Sequence, residues 1–288
     1  MNGFLLVDKP SGMTSHDVVA KIRKRFGTKK VGHAGTLDPM ATGVLVLGLG
    51  VATRLLPYVT DGKKAYDGTI RLGASTHTDD REGDVLVTTD ASNVSDDAIQ
   101  SGLKAMVGTI MQRPSSVSAI KVDGKTAHQR VRDGEVVELP AREVTIESIA
   151  VNEIRRVDGY IDVDISVNCS AGTYIRSIAR DLGESLHVGG HLTALRRTLV
   201  APFAISECGP YETVDPISVV DGIKRVLPVR ELTIEEMREI SFGRQLEPNS
   251  ASSVFAGIAP DGNFAALITN KDFGGKTLAT PIMVAVKE

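Results

Sequence analysis

The residue pattern predicts an α+β fold: a large body built on a mixed sheet flanked by helices, then a small β-rich appendage. Two observations carry this. Strand-like and helix-like segments follow one another without the regular alternation of a doubly wound sheet. After "VLPVREL" (226–232) the pattern changes to one helix and short strands separated by Gly, Pro and Asn. A chain of 288 residues accommodates one large and one small domain, placed here at 1–229 and 230–288.

The elements follow in order. "FLLVD" (4–8) reads as a short strand. "SHDVVAKIRKRFG" reads as a helix capped by Ser15, with Asp17 in its first turn and Gly27 at its end. Val18, Val19, Ile22 and Phe26 form its apolar stripe, which throws the basic residues onto the opposite face. "GVLVLGLG" (43–50) is a continuous apolar run, expected as a fully buried strand. "KKAYDGTIRLG" alternates, with Ala65, Asp67, Thr69 and Arg71 opposite Tyr66, Gly68 and Ile70. "HTDDREGDV" is an acidic loop, and "SDDAIQSGLKAMVG" a second helix capped by Ser95 and closed by Gly108. "VDGK" offers a tight turn between a short strand and a short helix. "EVTIESIAVNEIRRVDGYIDVDISVNCS" is two alternating strands joined near "RRVDG". "TYIRSIARDLGESL" is a helix with Ile175, Ile178, Ala179 and Leu182 inward, and "HLTALRRTLVAPFAI" returns to strand. Beyond residue 230 come the helix "TIEEMREISFG" and the strands of "SVFAGIAPDGNFAALI" and "TPIMVAVK".

Composition excludes several classes. The hydrophobic and charged fractions, 42% and 24%, are those of a soluble globular protein. Cys169 and Cys208 make neither a disulfide framework nor a metal cluster, which points to a reducing compartment. The opening apolar run stops at Asp8 and the longest one is too short and Gly-rich to span a bilayer, so a cytoplasmic protein without membrane association is expected. The net charge of −3 hides an uneven distribution. Residues 1–78 hold eleven Lys or Arg against five Asp and no Glu, whereas 79–108 hold seven acidic and two basic side chains. Local potential, not net charge, steers a polyanion. "KIRKRF" therefore reads equally as a polyanion-binding face or as a solvated helix face.

"VGHAGTLDPMATGVLVLGLG" (31–50) holds a single carboxylate, Asp38, near this basic run. Paired-carboxylate chemistry finds no local partner there, and His33 with Asp38 is a thin start for a metal site. The Gly-rich stretches lack the Lys-Ser/Thr end of a P-loop and the GxGxxG frame, and no G-x-S-x-G elbow occurs. Two readings of Asp38 remain. One is a carboxylate nucleophile, kept ionised by a positive neighbour that depresses its pKa and held rigid by Pro39. The other is a turn-forming Asp-Pro that bonds only its own backbone.

"KPSGMTSHDVV", "KVGHAGTLDPMATGVLVLGLGVATRL", "KAYDGTIRLG" and "AGTYIRSIARDLG", in this order and spacing, closely resemble the bacterial TruB-type tRNA pseudouridine synthases. The resemblance runs from about residue 3 to 200, and the GTLDPxATG block is highly specific. It implies a pseudouridine synthase core with a central mixed, largely antiparallel sheet flanked by helices. It also implies conversion of uridine 55 in the tRNA T-loop to pseudouridine on a flipped-out nucleotide, without cofactor or metal. Carried over residue by residue, it makes Asp38 the nucleophile, Arg176 its positive partner, and Tyr66 the ring that stacks on the uracil and serves as a base. Tyr174 and His33 become substrate contacts, Leu195 a pocket wall, and Lys9 and Pro10 supports of the active-site loop. Taken alone, each has a plainer reading: Tyr66 and Leu195 as core, Arg176 as a surface helix residue, Tyr174 as helix-start packing, and His33 as a loop residue.

The chain departs from the resembled pattern in "QRPSSVSAIKVDGKTAHQRVR", where Ser115 replaces a second Pro and His128 a Tyr. The tail from "LTIEEMREISFG" resembles a PUA-like RNA-binding domain more weakly. The expected partner is the tRNA T-arm, met by the basic helix face and by Arg196 and Arg197 through phosphates. A monomer with no guide RNA and no obligate protein partner is expected. The rivals are a guide-RNA-dependent synthase, a non-catalytic RNA binder on the same scaffold, and a small-molecule enzyme with a carboxylate nucleophile.

Overall fold

The central sheet runs in the order Gly3–Lys9, Thr42–Leu49, Gly190–Val200, Lys64–Leu72, Tyr160–Cys169, Arg142–Val157, Gly108–Gln112. It belongs to a computed structural model that describes residues 1–117, 121–122, 124–126, 129–130, 133, 135, 137, 139–249 and 253–285. The neighbours along this path are antiparallel with one exception. Thr42–Leu49 and Gly190–Val200 run parallel, with Thr42 opposite Arg196 and Gly43 opposite Arg197. The sheet is thus mixed and largely antiparallel, as expected. A Cβ on Gly43, whose φ is 100°, would sit 2.1 Å from the Arg197 carbonyl oxygen, so only glycine allows this junction to close.

The first helix, Ser15–Phe26, buries Val18, Val19 and Ile22 against the sheet and ends at left-handed Gly27 (φ 61°). Its cap is Thr14, not Ser15, because Asp17 closes a capping box with Thr14. Ser15 is freed for a tertiary role described below. Lys21, Lys24, Lys29 and Lys30 are exposed, whereas the Arg23 guanidinium bonds Val31 and that of Arg25 bonds Tyr211 and Val214.

Helix Asp96–Ala105 is capped by Ser95 as expected but ends at Met106. Gly108 instead opens the next strand, its φ of 113° turning the chain into the sheet. The "VDGK" turn joins two short antiparallel strands, Lys121–Val122 and Lys125–Thr126, and Gln129 and Arg130 beyond them are helical. His128 lies outside the described residues.

Helix Ile175–Ser185 presses Ile175, Ile178, Ala179 and Leu182 onto Ile70, Leu72, Ile161, Val163 and Leu192 of the sheet. That packing orients the charged positions of its first turns towards the loops at the sheet's centre.

The appendage is a four-stranded sheet, Val229–Glu231, Val254–Ile258, Phe264–Phe273 and Lys276–Val284, with helix Ile234–Ser241 capped by Thr233. Leu232, Ile240, Phe255 and Ile268 form a core of its own. Ala256, Leu267 and Met283 are buried in one cluster with Phe4, Leu6, Val44 and Val46, so the appendage and the body share an apolar seam.

Candidate active site

Asp38 lies in the loop between Val31–His33 and Thr42–Leu49, and the chain's first motif fixes that loop. Lys9 is 0% exposed, and its Nζ donates to the carbonyls of Pro10 (2.9 Å), Met13 (2.5 Å) and Pro39 (3.2 Å). Gly12 N–H donates to the Pro39 carbonyl at 2.8 Å. Ser15, spared from capping, accepts from Leu37 N–H at 2.8 Å and donates to the Leu37 carbonyl at 3.2 Å. Lys9, Gly12 and Ser15 therefore hold residues 37–39, the support expected of Lys9, while Pro10 contributes its carbonyl to Lys9 Nζ. Burial lowers the Lys9 pKa to about 8, with Asp38 the leading charge opposing the shift.

Arg176 enters from the start of its helix with 6% of its side chain exposed, against 31% for Asp38. Its Nη2 donates to Asp38 Oδ1 at 3.0 Å and its Nε lies 3.0 Å from Oδ2, a two-pronged ion pair. Nη2 also donates to the Val117 carbonyl at 3.0 Å, and Nη1 to the Thr78 carbonyl at 2.9 Å. The positive neighbour is where it was expected, but its electrostatic outcome differs. Burial is the largest influence on Asp38 and raises its pKa; Arg176 opposes this, and the net direction is upward.

The pattern also missed a second carboxylate. Asp80, 2% exposed, lies 3.5 Å from Arg176 Nη1 and pushes the Asp38 pKa further up. The Asp80 Oδ1 accepts from Thr78 Oγ1 (2.5 Å) and from Glu82 N–H (3.0 Å), so the acidic loop is ordered around it. Glu82 in turn accepts from Met40 N–H at 3.3 Å. In the sequence this segment reads only as an acidic loop, and nothing in its spacing singles out Asp80.

An open cleft of about 270 Å³ lies over the pair, and Asp38, Tyr66, Tyr174, Arg176 and Leu195 all line it. Tyr66 and Leu195 are each 7% exposed and supply an apolar floor. Burial raises the Tyr66 phenol pKa, and the positive charge of Arg197 only partly offsets that. Tyr174 begins the Arg176 helix, its backbone N–H and carbonyl clasped by the Gln112 amide (2.8 and 3.1 Å). Arg142 stacks over its ring at 4.8 Å. Lys64 also lines the cleft, with Nζ on the Thr60 and Gly62 carbonyls and its pKa lowered to about 8 by burial. His33 is not among the lining residues; it meets His16 edge-on at 5.3 Å between ring centroids.

Burial sets Arg197 against the expectation that Arg196 and Arg197 meet phosphates, whereas the Arg196 side chain stays 40% exposed. Arg197 is 1% exposed and bonds the carbonyls of Val44, Gly35 and Thr36, bracing the Asp38 loop. Arg196 is occupied by Asp8, with both Nη atoms on the carboxylate. Adjacent arginines in a strand point to opposite faces, so two cannot share one surface.

Among the described residues, no group of three or more His, Cys, Asp or Glu could hold a metal, and no helix is long and apolar enough to cross a membrane.

Comparison with known proteins places this geometry. The model of the TruB family pseudouridylate synthase N-terminal domain matches residues 23–175. Models of the tRNA pseudouridylate synthase B C-terminal domain and of the tRNA pseudouridine synthase II C-terminal region match 176–218 and 227–280. The chain is 54% identical over 284 residues to tRNA pseudouridine synthase B of Corynebacterium efficiens, covering 97% of this chain and 95% of that protein. It is 49% identical over 280 residues to the protein of the same name from Thermobifida fusca, covering 94% and 95%. Among solved structures, an archaeal box H/ACA sRNP Nop10-Cbf5 complex shares the fold, with a TM-score of 0.70 at 23% identity over 98% of this chain and 85% of that one. A Cbf5-Nop10-Gar1 complex gives 0.67 at 25% identity over 99% and 84%.

Proposed function

The chain belongs to the TruB family of pseudouridylate synthases, and on that premise we propose that it converts uridine 55 in the T-loop of tRNA to pseudouridine, with Asp38 as the nucleophile. The relatives named tRNA pseudouridine synthase B support the tRNA substrate. The observation that carries the chemical assignment is the two-pronged Arg176–Asp38 pair facing a cleft floored by Tyr66 and Leu195.

The reaction is an isomerisation and needs no net exchange of atoms with solvent. The bond from uracil N1 to ribose carbon 1 breaks, the base rotates, and carbon 5 bonds to the ribose. The carbon 5 proton leaves and N1 gains one. Asp38 suits any of three first steps: addition to the ring, attack on the ribose carbon, or assistance of proton loss from the ribose. A planar base lies against Tyr66 and Leu195 once it leaves the loop stack. Tyr66 supplies the stacking surface, and burial raises its phenol pKa, which favours that role over the one of a base.

His33, edge-on against His16 and outside the cleft lining, is in this reading a further contact to the substrate RNA. The exposed Lys21, Lys24, Lys29 and Lys30 supply sequence-independent phosphate contacts. The appendage extends the RNA-binding surface.

Incubation of the protein with unmodified tRNA, followed by mapping of pseudouridine along the product, tests the proposal. Pseudouridine at position 55 alone supports it. Modification elsewhere or none at all refutes it.

A further inference from the structure

We propose that Ser115 is a positioning residue for the reaction: its hydroxyl fixes the end of Arg176 that does not touch Asp38, and so sets the pose of the nucleophile. The inference rests on the assignment of Asp38 and Arg176 made above.

Ser115 is one of the two residues that depart from the resembled pattern, standing where a second proline is usual. It is 0% exposed, between strand Gly108–Gln112 and the Val117 carbonyl that also binds Arg176. Its hydroxyl donates to the Thr78 carbonyl at 3.2 Å and accepts from Arg176 Nη1 at 3.4 Å. Arg176 Nη1 itself donates to the same Thr78 carbonyl at 2.9 Å. Nη1, the Ser115 hydroxyl and the Thr78 carbonyl therefore close a triangle from three separate parts of the chain, with Asp80 Oδ2 also 3.5 Å from Nη1.

A guanidinium is rigid and planar, so pinning one end sets the other. In Arg176 the opposite edge, Nε and Nη2, holds the two oxygens of Asp38. A proline at 115 would have no hydroxyl and would leave the triangle open. Here the hydroxyl links segment 113–117 to the loop that carries Asp79 and Asp80. The next turn of the helix repeats the link independently, with Ser177 Oγ and Arg180 Nη2 both donating to the Arg113 carbonyl (2.9 and 2.8 Å). Segment 113–117 consequently stays in place without the serine hydroxyl, and the freedom released on removing it falls on Nη1.

The test compares Ser115→Ala and Ser115→Cys with the unmodified chain under saturating tRNA. The cysteine keeps the buried volume while losing the strong hydrogen bond. Loss of one hydrogen bond to a charged group corresponds to roughly a tenfold fall in kcat. We expect that fall in both variants, with KM within about twofold and the acid limb of the pH–rate profile moved to higher pH, because a loosened Arg176 opposes the raised Asp38 pKa less well. An unchanged kcat and pH profile overturns the proposal. A fall only in the alanine variant, or one that tracks melting temperature, also overturns it by making the role one of packing. If the unmodified chain itself forms no pseudouridine, it is the assignment of Asp38 and Arg176 that fails.

Discussion

Arg176 grips both carboxylate oxygens of Asp38 at 3.0 Å while its remaining nitrogen, Nη1, is bound to the Thr78 carbonyl. The two partners are 138 residues apart in the chain. Asp38 lies in the loop that enters Thr42–Leu49, and Arg176 in the helix that precedes Gly190–Val200, the strand paired in parallel with Thr42–Leu49.

Removal of the cation tests how much of the site depends on it. Arg176→Met takes the guanidinium away from Asp38, from the buried Asp80 and from the Thr78 and Val117 carbonyls. Breaking a buried pair in this way costs about 3–5 kcal/mol. We expect a loss of that order in urea unfolding together with loss of pseudouridine formation. A variant as stable as the parent would show that the pair contributes nothing to the fold.

A second prediction concerns pH. Asp38 has a native pKa above its ordinary 3.8, mainly through burial. Its contribution to stability is therefore fully present below 3.8 and is lost as pH rises through the raised native value. Asp38→Asn removes this dependence. Melting temperatures across that window should show the parent losing ground to Asp38→Asn as pH rises; the opposite trend would mean that Arg176, not burial, controls the carboxylate.

The lysine face makes a third prediction. Replacing Lys21, Lys24, Lys29 and Lys30 with Ala should weaken tRNA binding and flatten its salt dependence by about 0.7–0.9 in slope per lost phosphate contact. Turnover at saturating tRNA should be unchanged. An unaltered salt slope would return this face to the role of a solvated helix surface.

Much of this was legible before any coordinates. Periodicity located the strands that carry Tyr66 and Leu195 and the helix that carries Arg176, because each has one apolar face to bury. Chemistry that depends on long-range juxtaposition was not legible. Arg197 looks identical to Arg196 in "LRRT", yet strand alternation buries one under the Asp38 loop and turns the other to Asp8. Asp80 sits in a run that reads as an acidic loop, and its charge partner Arg176 lies nearly 100 residues on. Ser15 looked like a cap because caps are local, whereas its partner Leu37 is tertiary. The upward direction of the Asp38 pKa likewise depends on burial, which spacing does not report. The appendage was placed by its change of pattern, but its apolar seam with Phe4 and Val44 was not foreseen. Deleting residues 230–288 would expose that seam, so truncation reports on folding as much as on RNA affinity.

The central claim is that Asp38 performs the chemistry on a flipped uridine of tRNA, and one paired measurement addresses it most directly. Unmodified tRNA is incubated with the parent chain and with Asp38→Asn, and pseudouridine at position 55 and tRNA affinity are measured for both. The account predicts modification by the parent, none by Asp38→Asn, and closely similar affinities. Substantial pseudouridine formation by Asp38→Asn would contradict it.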